Sequence, residues 1–155
     1  MSVGFLNEYF IVATTDGHNF ILLEDVTYVS RSGISYIIPK GAASDGASSP
    51  QDIWNLIPPF GAYWQAAFLH DNAYSNTITL TDGSPANLSF EECNNLFHEA
   101  MELSKVDPLE IDVMFSAVSL YGKPYFDSSR ISGSMKTQNT QYTTSQKHDN
   151  YDPHI

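Results

Sequence analysis

The chain has 155 residues, 42% hydrophobic and 13% aromatic, which suits one domain with a modest core and excludes a wholly disordered protein. Acidic residues number 18 against 7 basic ones, and the resulting formal charge of -11 opposes non-specific contact with nucleic acid or an anionic bilayer while favouring cations and basic partner surfaces. Cys93 is the single cysteine, which excludes a disulfide scaffold; with no apolar run near membrane-span length and no secretory leader at the start, synthesis in a cytoplasm without stable membrane insertion is expected.

Phe20 to Ser30 alternates imperfectly and is rich in Ile, Leu, Val and Tyr. Arg31-Ser32-Gly33 interrupts it, and Ile34 to Pro39 is again β-prone, so the pair predicts a hairpin. Lys40 to Ser49 is small and polar, with Gly41 and Gly46, a loop in which backbone groups can approach a ligand closely. Pro50 opens a short predicted helix through Trp54 to Ile57, which Pro58-Pro59 stops; the next helix follows Gly61 and spans Ala62 to Asn76. Asn76 to Leu88 carries Thr, Asp, Gly, Ser and Pro and is long enough for a rim or lid.

Ser89-Phe90-Glu91-Glu92 is a capping-box pattern, and Leu96, Phe97, Ala100, Met101 and Leu103 follow at helical spacing. Asp107-Pro108 signals another helix start, with Ile111, Val113, Met114, Ala117, Val118 and Tyr121 as its apolar surface and Gly122 and Pro124 at its end. From Asp127 to Ile155 the chain is rich in Ser, Thr, Gln and Asn, a composition that buries too little surface to offset ordering entropy. Residues 1–126 are therefore expected to form one domain, and residues 127–155 an extended polar arm that either stays solvated or docks on a partner through Tyr125, Tyr142 and Tyr151.

His70-Asp71-Asn72-Ala73-Tyr74 carries the densest chemistry. On a helix His70 and Tyr74 stack on one face, while Asp71 points about 100° away around the axis. The apolar turn Ala66-Ala67-Phe68-Leu69 desolvates the cluster, which suits either a general base beside a cation ligand or a satisfied polar core. Cys93 reads as a buried inert thiol, and His98 as a surface or packing residue four positions beyond Asn94. His148-Asp149-Asn150-Tyr151 repeats the letters of the motif without its apolar helical context.

In order, the hairpin ending Ile38-Pro39-Lys40-Gly41, Ser44-Asp45-Gly46-Ala47-Ser48-Ser49-Pro50, Trp54, Gly61, Ala66 to Asp71 with Tyr74, Asn94, Phe97, Ala100, Met101, Ala117-Val118 and Tyr121-Gly122 resemble a phage, prophage and bacterial family catalogued as domain of unknown function 1353. The resemblance covers about residues 26–126. More distantly, His-Asp-x-x-Tyr is similar to the catalytic helix of phospholipase A2 proteins. That similarity implies His70 as general base, Asp71 as a calcium ligand joined by Asp45 or loop carbonyls, Tyr74 as a hydrogen-bonding support, and an acid on a second helix to orient the histidine. Asn94 stands where the family usually has that acid; an amide accepts an imidazole N–H but brings no charge to stabilise imidazolium. The glycine-rich calcium loop and the disulfides of secreted phospholipases are absent as well.

The expected architecture is α+β: an N-terminal β-hairpin or small antiparallel sheet packed on three to four helices, with the polar C-terminal arm. The first expected function is a bacteriophage virion-associated protein at the tail or neck, located in the virion and docked on other virion proteins in a multi-subunit assembly. The alternative is a calcium-dependent phospholipase A2-like hydrolase acting on an ester of a lipid or envelope component.

Overall fold

Val26–Val29 (β4) and Ser35–Ile38 (β5) pair antiparallel as the expected hairpin, in register Val26↔Ile38 through Val29↔Ser35. Gly33 closes its turn at φ +90°, a conformation that costs a residue with Cβ, and donates its N–H to Ser30 O at 2.9 Å. The computed structural model describes residues 2–14, 19–44 and 62–131; the expected Pro50 to Ile57 helix lies outside them. Within the described residues the architecture is α+β, two small antiparallel sheets packed with four helices.

The expected single strand over Phe20 to Ser30 is corrected to two, β3 (Phe20–Leu22) and β4, which enter different sheets. A polar corner separates them: the Asp25 carboxylate accepts from Lys40 N at 2.7 Å, and the Asn7 side chain accepts from Thr27 N at 3.0 Å. Residues before the hairpin supply β1 (Gly4–Phe5), which pairs with β4, and β2 (Val12–Ala13), which pairs with β3. β6 (Ala43–Ser44) pairs with the other side of β3. Along β3 the inward Phe20 and Leu22 are buried while Ile21 faces out, the alternation of a sheet with one covered face.

Three helices form the other layer. α1 (Ala62–Tyr74) buries Tyr63, Ala66 to His70 and Asn72 to Tyr74, nearly its whole circumference, so it has no narrow apolar stripe. α2 (Phe90–Leu103) starts at the capping box: Ser89 Oγ accepts from Glu92 N at 3.1 Å, and Glu92 Oε1 from Ser89 N at 3.0 Å. α3 (Pro108–Tyr121) is capped by Asp107, whose carboxylate accepts from Leu109 N at 2.8 Å. Buried Tyr28 of β4 donates to Glu99 at 2.6 Å and so ties the hairpin to α2. The segment expected as a rim or lid is pinned: Ile37 and Thr79 exchange both backbone hydrogen bonds, at 2.8 and 2.9 Å, and Ile78 is fully buried.

The polar segment expected to leave the fold at Asp127 is helical over 123–131, here α4, so its first residues belong to the structure. Pro124 sits in the first turn, where its missing N–H costs nothing. Arg130 explains why the helix continues: its guanidinium donates to Tyr74 O at 3.0 Å, Ala73 O at 3.3 Å and Leu88 O at 2.7 Å, and lies over the Phe126 ring at 4.6 Å. Tyr74 O and Ala73 O both lie at the C-terminal end of α1, where a cation is favoured by the helix dipole; Ala73 O also accepts from Asn76 N at 3.2 Å. Arg130→Ala should therefore cost about 2 kcal/mol in urea unfolding, the scale of hydrogen bonds to a charged donor. A chain ending at Phe126 should be weaker than one ending at Ile131 by a similar amount; equal stability of the two would put the edge of the fold at Phe126.

Candidate functional site

His70 and Tyr74 occupy one face of α1, as their spacing predicts, and both are turned onto α2. His70 Nε2 lies 2.9 Å from Asn94 Oδ1, and Tyr74 OH donates to the same oxygen at 2.8 Å. Asn94 Oδ1 can only accept, so the phenol donates to it and His70 carries its proton on Nε2. The free lone pair of His70 is then on Nδ1. The ring stacks on Phe97, centroids 4.4 Å apart, and leans on Tyr74 at 4.1 Å, so packing holds the plane that the hydrogen bond selects.

Burial sets the electrostatics. His70, Tyr74 and Asn94 are 1%, 0% and 3% exposed. Desolvation lowers the His70 pKa to about 4, and the Asn94 hydrogen bond only partly opposes it. The same burial holds the Tyr74 phenol well above its usual range, with neighbouring Cys93 adding to it and the Asn94 hydrogen bond opposing it. Cys93 is fully buried and pushed up to about 12 by desolvation, so it stays a thiol. At neutral pH the cluster carries no charge: an unprotonated imidazole, a phenol and an amide.

Asp71 points away from this cluster, toward β6, where its carboxylate accepts a short hydrogen bond from Ser44 Oγ. Asn72 completes the stitch, donating to Ala43 O at 3.2 Å and to Phe68 O at 2.9 Å. Asp71 is thus a half-buried carboxylate beside the strand that leads into Asp45, a residue outside the described ones. A calcium ion needs six to eight oxygens; Asp71 fits as one hard donor, and among the described residues no three His, Cys, Asp or Glu side chains gather around a common point.

The remaining expected residues separate. His98 does not share the Asn94 site: it turns toward α3, with Nδ1 3.2 Å from Glu102 and its ring edge-on to Phe115 at 4.9 Å. Tyr125 is 38% exposed on α4, while Tyr142 and Tyr151 lie outside the described residues. Sequence reasoning missed Ser44 as the partner of Asp71, Arg130 as the clamp on α1, and the close approach of Gly122 to Tyr74. A Cβ on Gly122 would overlap the Val118 carbonyl and the Tyr74 hydroxyl, so a bare Cα there lets the end of α3 approach the site. A basic residue four positions after Phe126, alone in a polar run, was the available signal for Arg130.

Fold and site together define an α+β domain in which one buried helix carries an adjacent His and Asp and a second helix orients the His. A family model described as a protein of unknown function (DUF1353) matches residues 20–118, and the chain belongs to that family. The uncharacterized protein y4jT of Sinorhizobium fredii is 26% identical over 125 residues, which are 79% of this chain and 34% of y4jT, so the chain spans about a third of that relative's length. No solved structure matches the chain.

The depressed His70 pKa makes stability depend on pH. The unfolded chain binds this proton below its ordinary value of 6.5 and the folded chain only below about 4, so stability is fully present above 6.5 and declines as pH falls toward 4. The loss attributable to His70 should be on the order of 3 kcal/mol. Between pH 6.5 and 4, urea melts should show the wild type losing about this much more stability than His70→Gln; equal losses would mean that His70 titrates normally in the folded state.

Proposed function

We propose that the domain is a metal-assisted ester hydrolase of the phospholipase A2 type, with His70 as general base, Asp71 as cation ligand, and Asn94 and Tyr74 as orienting residues. The observation that carries this reading is the convergence of His70 Nε2 and Tyr74 OH on Asn94 Oδ1. It commits one imidazole nitrogen to orientation and leaves the other basic, the division of labour that water activation requires. A low pKa keeps the base unprotonated at neutral pH, although a weaker base extracts a proton less readily. When bound, a divalent cation such as calcium would stabilise the developing oxyanion, and Asp71 would hold it.

The amide at 94 argues for slow turnover, because the imidazolium formed on proton transfer meets no counter-charge. Hydrolysis of a thioester analogue of a short-chain phosphatidylcholine, with calcium present, tests the proposal. The wild type should react slowly, His70→Ala should lose activity, and Asp71→Asn should fall about tenfold or more. Asn94→Asp should gain about tenfold by supplying the missing charge. No hydrolysis by folded wild type and folded Asn94→Asp alike would sink the assignment.

A separate observation favours a second, compatible reading, a phage virion protein that assembles with other virion subunits. Leu109, Val113 and Leu120 lie in one line on α3 at 72%, 45% and 72% exposure, and Tyr121 and Tyr125 extend the apolar surface at 61% and 38%. Such a surface is typical of an interaction site, and contacts from Tyr142 and Tyr151 would enlarge it. Particles purified from cells expressing Leu109→Glu/Leu120→Glu should lack the protein where the wild type is incorporated; equal incorporation would count against assembly through this face.

A further inference from the structure

We infer that the cleft between α2 and α3 receives an arginine or lysine side chain of a partner protein. The cleft measures about 260 Å³ and is lined by His98, Glu102, Val106, Pro108, Ile111 and Asp112. Its floor is aliphatic: Val106 and Ile111 are 8% and 6% exposed, and the Pro108 ring lies beside them. Its polar lining is two carboxylates and one imidazole. An aliphatic stem ending in a cation meets both demands at once, because long basic side chains lay their methylenes on apolar surface and keep the charged head among polar groups.

The carboxylates are in different states. Glu102 accepts from Arg31 at 3.1 Å and from His98 Nδ1 at 3.2 Å, and the Arg31 guanidinium above all holds its carboxyl below the usual range. It is therefore ionised and already selects a guanidinium from the chain's own hairpin. Asp112 has no ion-pair partner among the described residues. An anionic ligand would be repelled here, and a metal ion would find too few side-chain donors gathered around one point. With a chain charge of -11, long-range attraction speeds the approach of a basic surface, and Asp112 supplies the local contact. Leu109 and Val113 flank Asp112 on the same helix, both exposed, so an apolar residue next to the incoming cation also gains a contact.

The test is a titration of the full-length, isotope-labelled chain with the tripeptide acetyl-Leu-Arg-Leu-amide, followed by NMR, with the citrulline peptide as neutral isostere. Saturable shifts should be confined to residues 98–112 and include the His98 ring. They should weaken at least fivefold with Asp112→Asn and be largely lost with citrulline. Asp112 is exposed, and an unchanged thermal melt of the variant would certify its fold. Three results would overturn the inference: shifts spread over the acidic surface, equal binding of the citrulline peptide, or perturbation of the same cleft on removing residues 132–155, which would make the occupant the chain's own tail.

Discussion

The hydrogen bonds that Asn94 Oδ1 accepts from His70 and Tyr74 are the contact on which the rest of the structure turns. α1 is buried on nearly every side, so each polar group it carries inward must find a partner without water, and an unmet donor there would cost about 1–3 kcal/mol. One amide oxygen with two lone pairs serves both side chains and fixes how α1 and α2 face each other. Elsewhere α1 solves the same problem with other partners. Asn72 reaches the backbone of β6, Asp71 accepts from Ser44, and Arg130 covers the carbonyls at its end.

That arrangement also decides the chemistry open to the site. An aspartate at 94 would have paired with a protonated imidazole and raised its pKa; the amide lets burial win and leaves a neutral cluster. The geometry that fixes the imidazole is therefore present, while a charge that would stabilise its protonated form is missing. Asp71 sits at the junction, covalently next to His70 yet directed into β6, where it accepts from Ser44.

The neighbouring face of α2, turned toward α3, follows different rules. His98 and Glu102 lie about one and two turns further along the helix from Asn94 and face α3 across an open, acidic cleft, and α3 carries exposed apolar residues beside it. α2 thus separates a dry, uncharged interior from a wet, charged surface. The first holds the His70 ring by packing and a hydrogen bond, and the second places carboxylates beside apolar residues.

Local interactions made much of this legible in the chain alone. The capping box at Ser89, Asp107-Pro108 at the start of α3, the turn at Gly33, and the shared face of His70 and Tyr74 all depend on neighbours within four residues. What lay beyond such spacing was decided only in three dimensions. Phe20 to Ser30 divides between two sheets because Asp25 and Asn7 bond to segments 15 and 20 residues distant. α4 continues through a polar sequence because Arg130 meets carbonyls 42 to 57 residues earlier in the chain, and no composition reveals that pairing. The protonation of His70 belongs to the same class: the residue and its helix are written in the sequence, but its pKa comes from the rings and the amide that the packed fold brings around it.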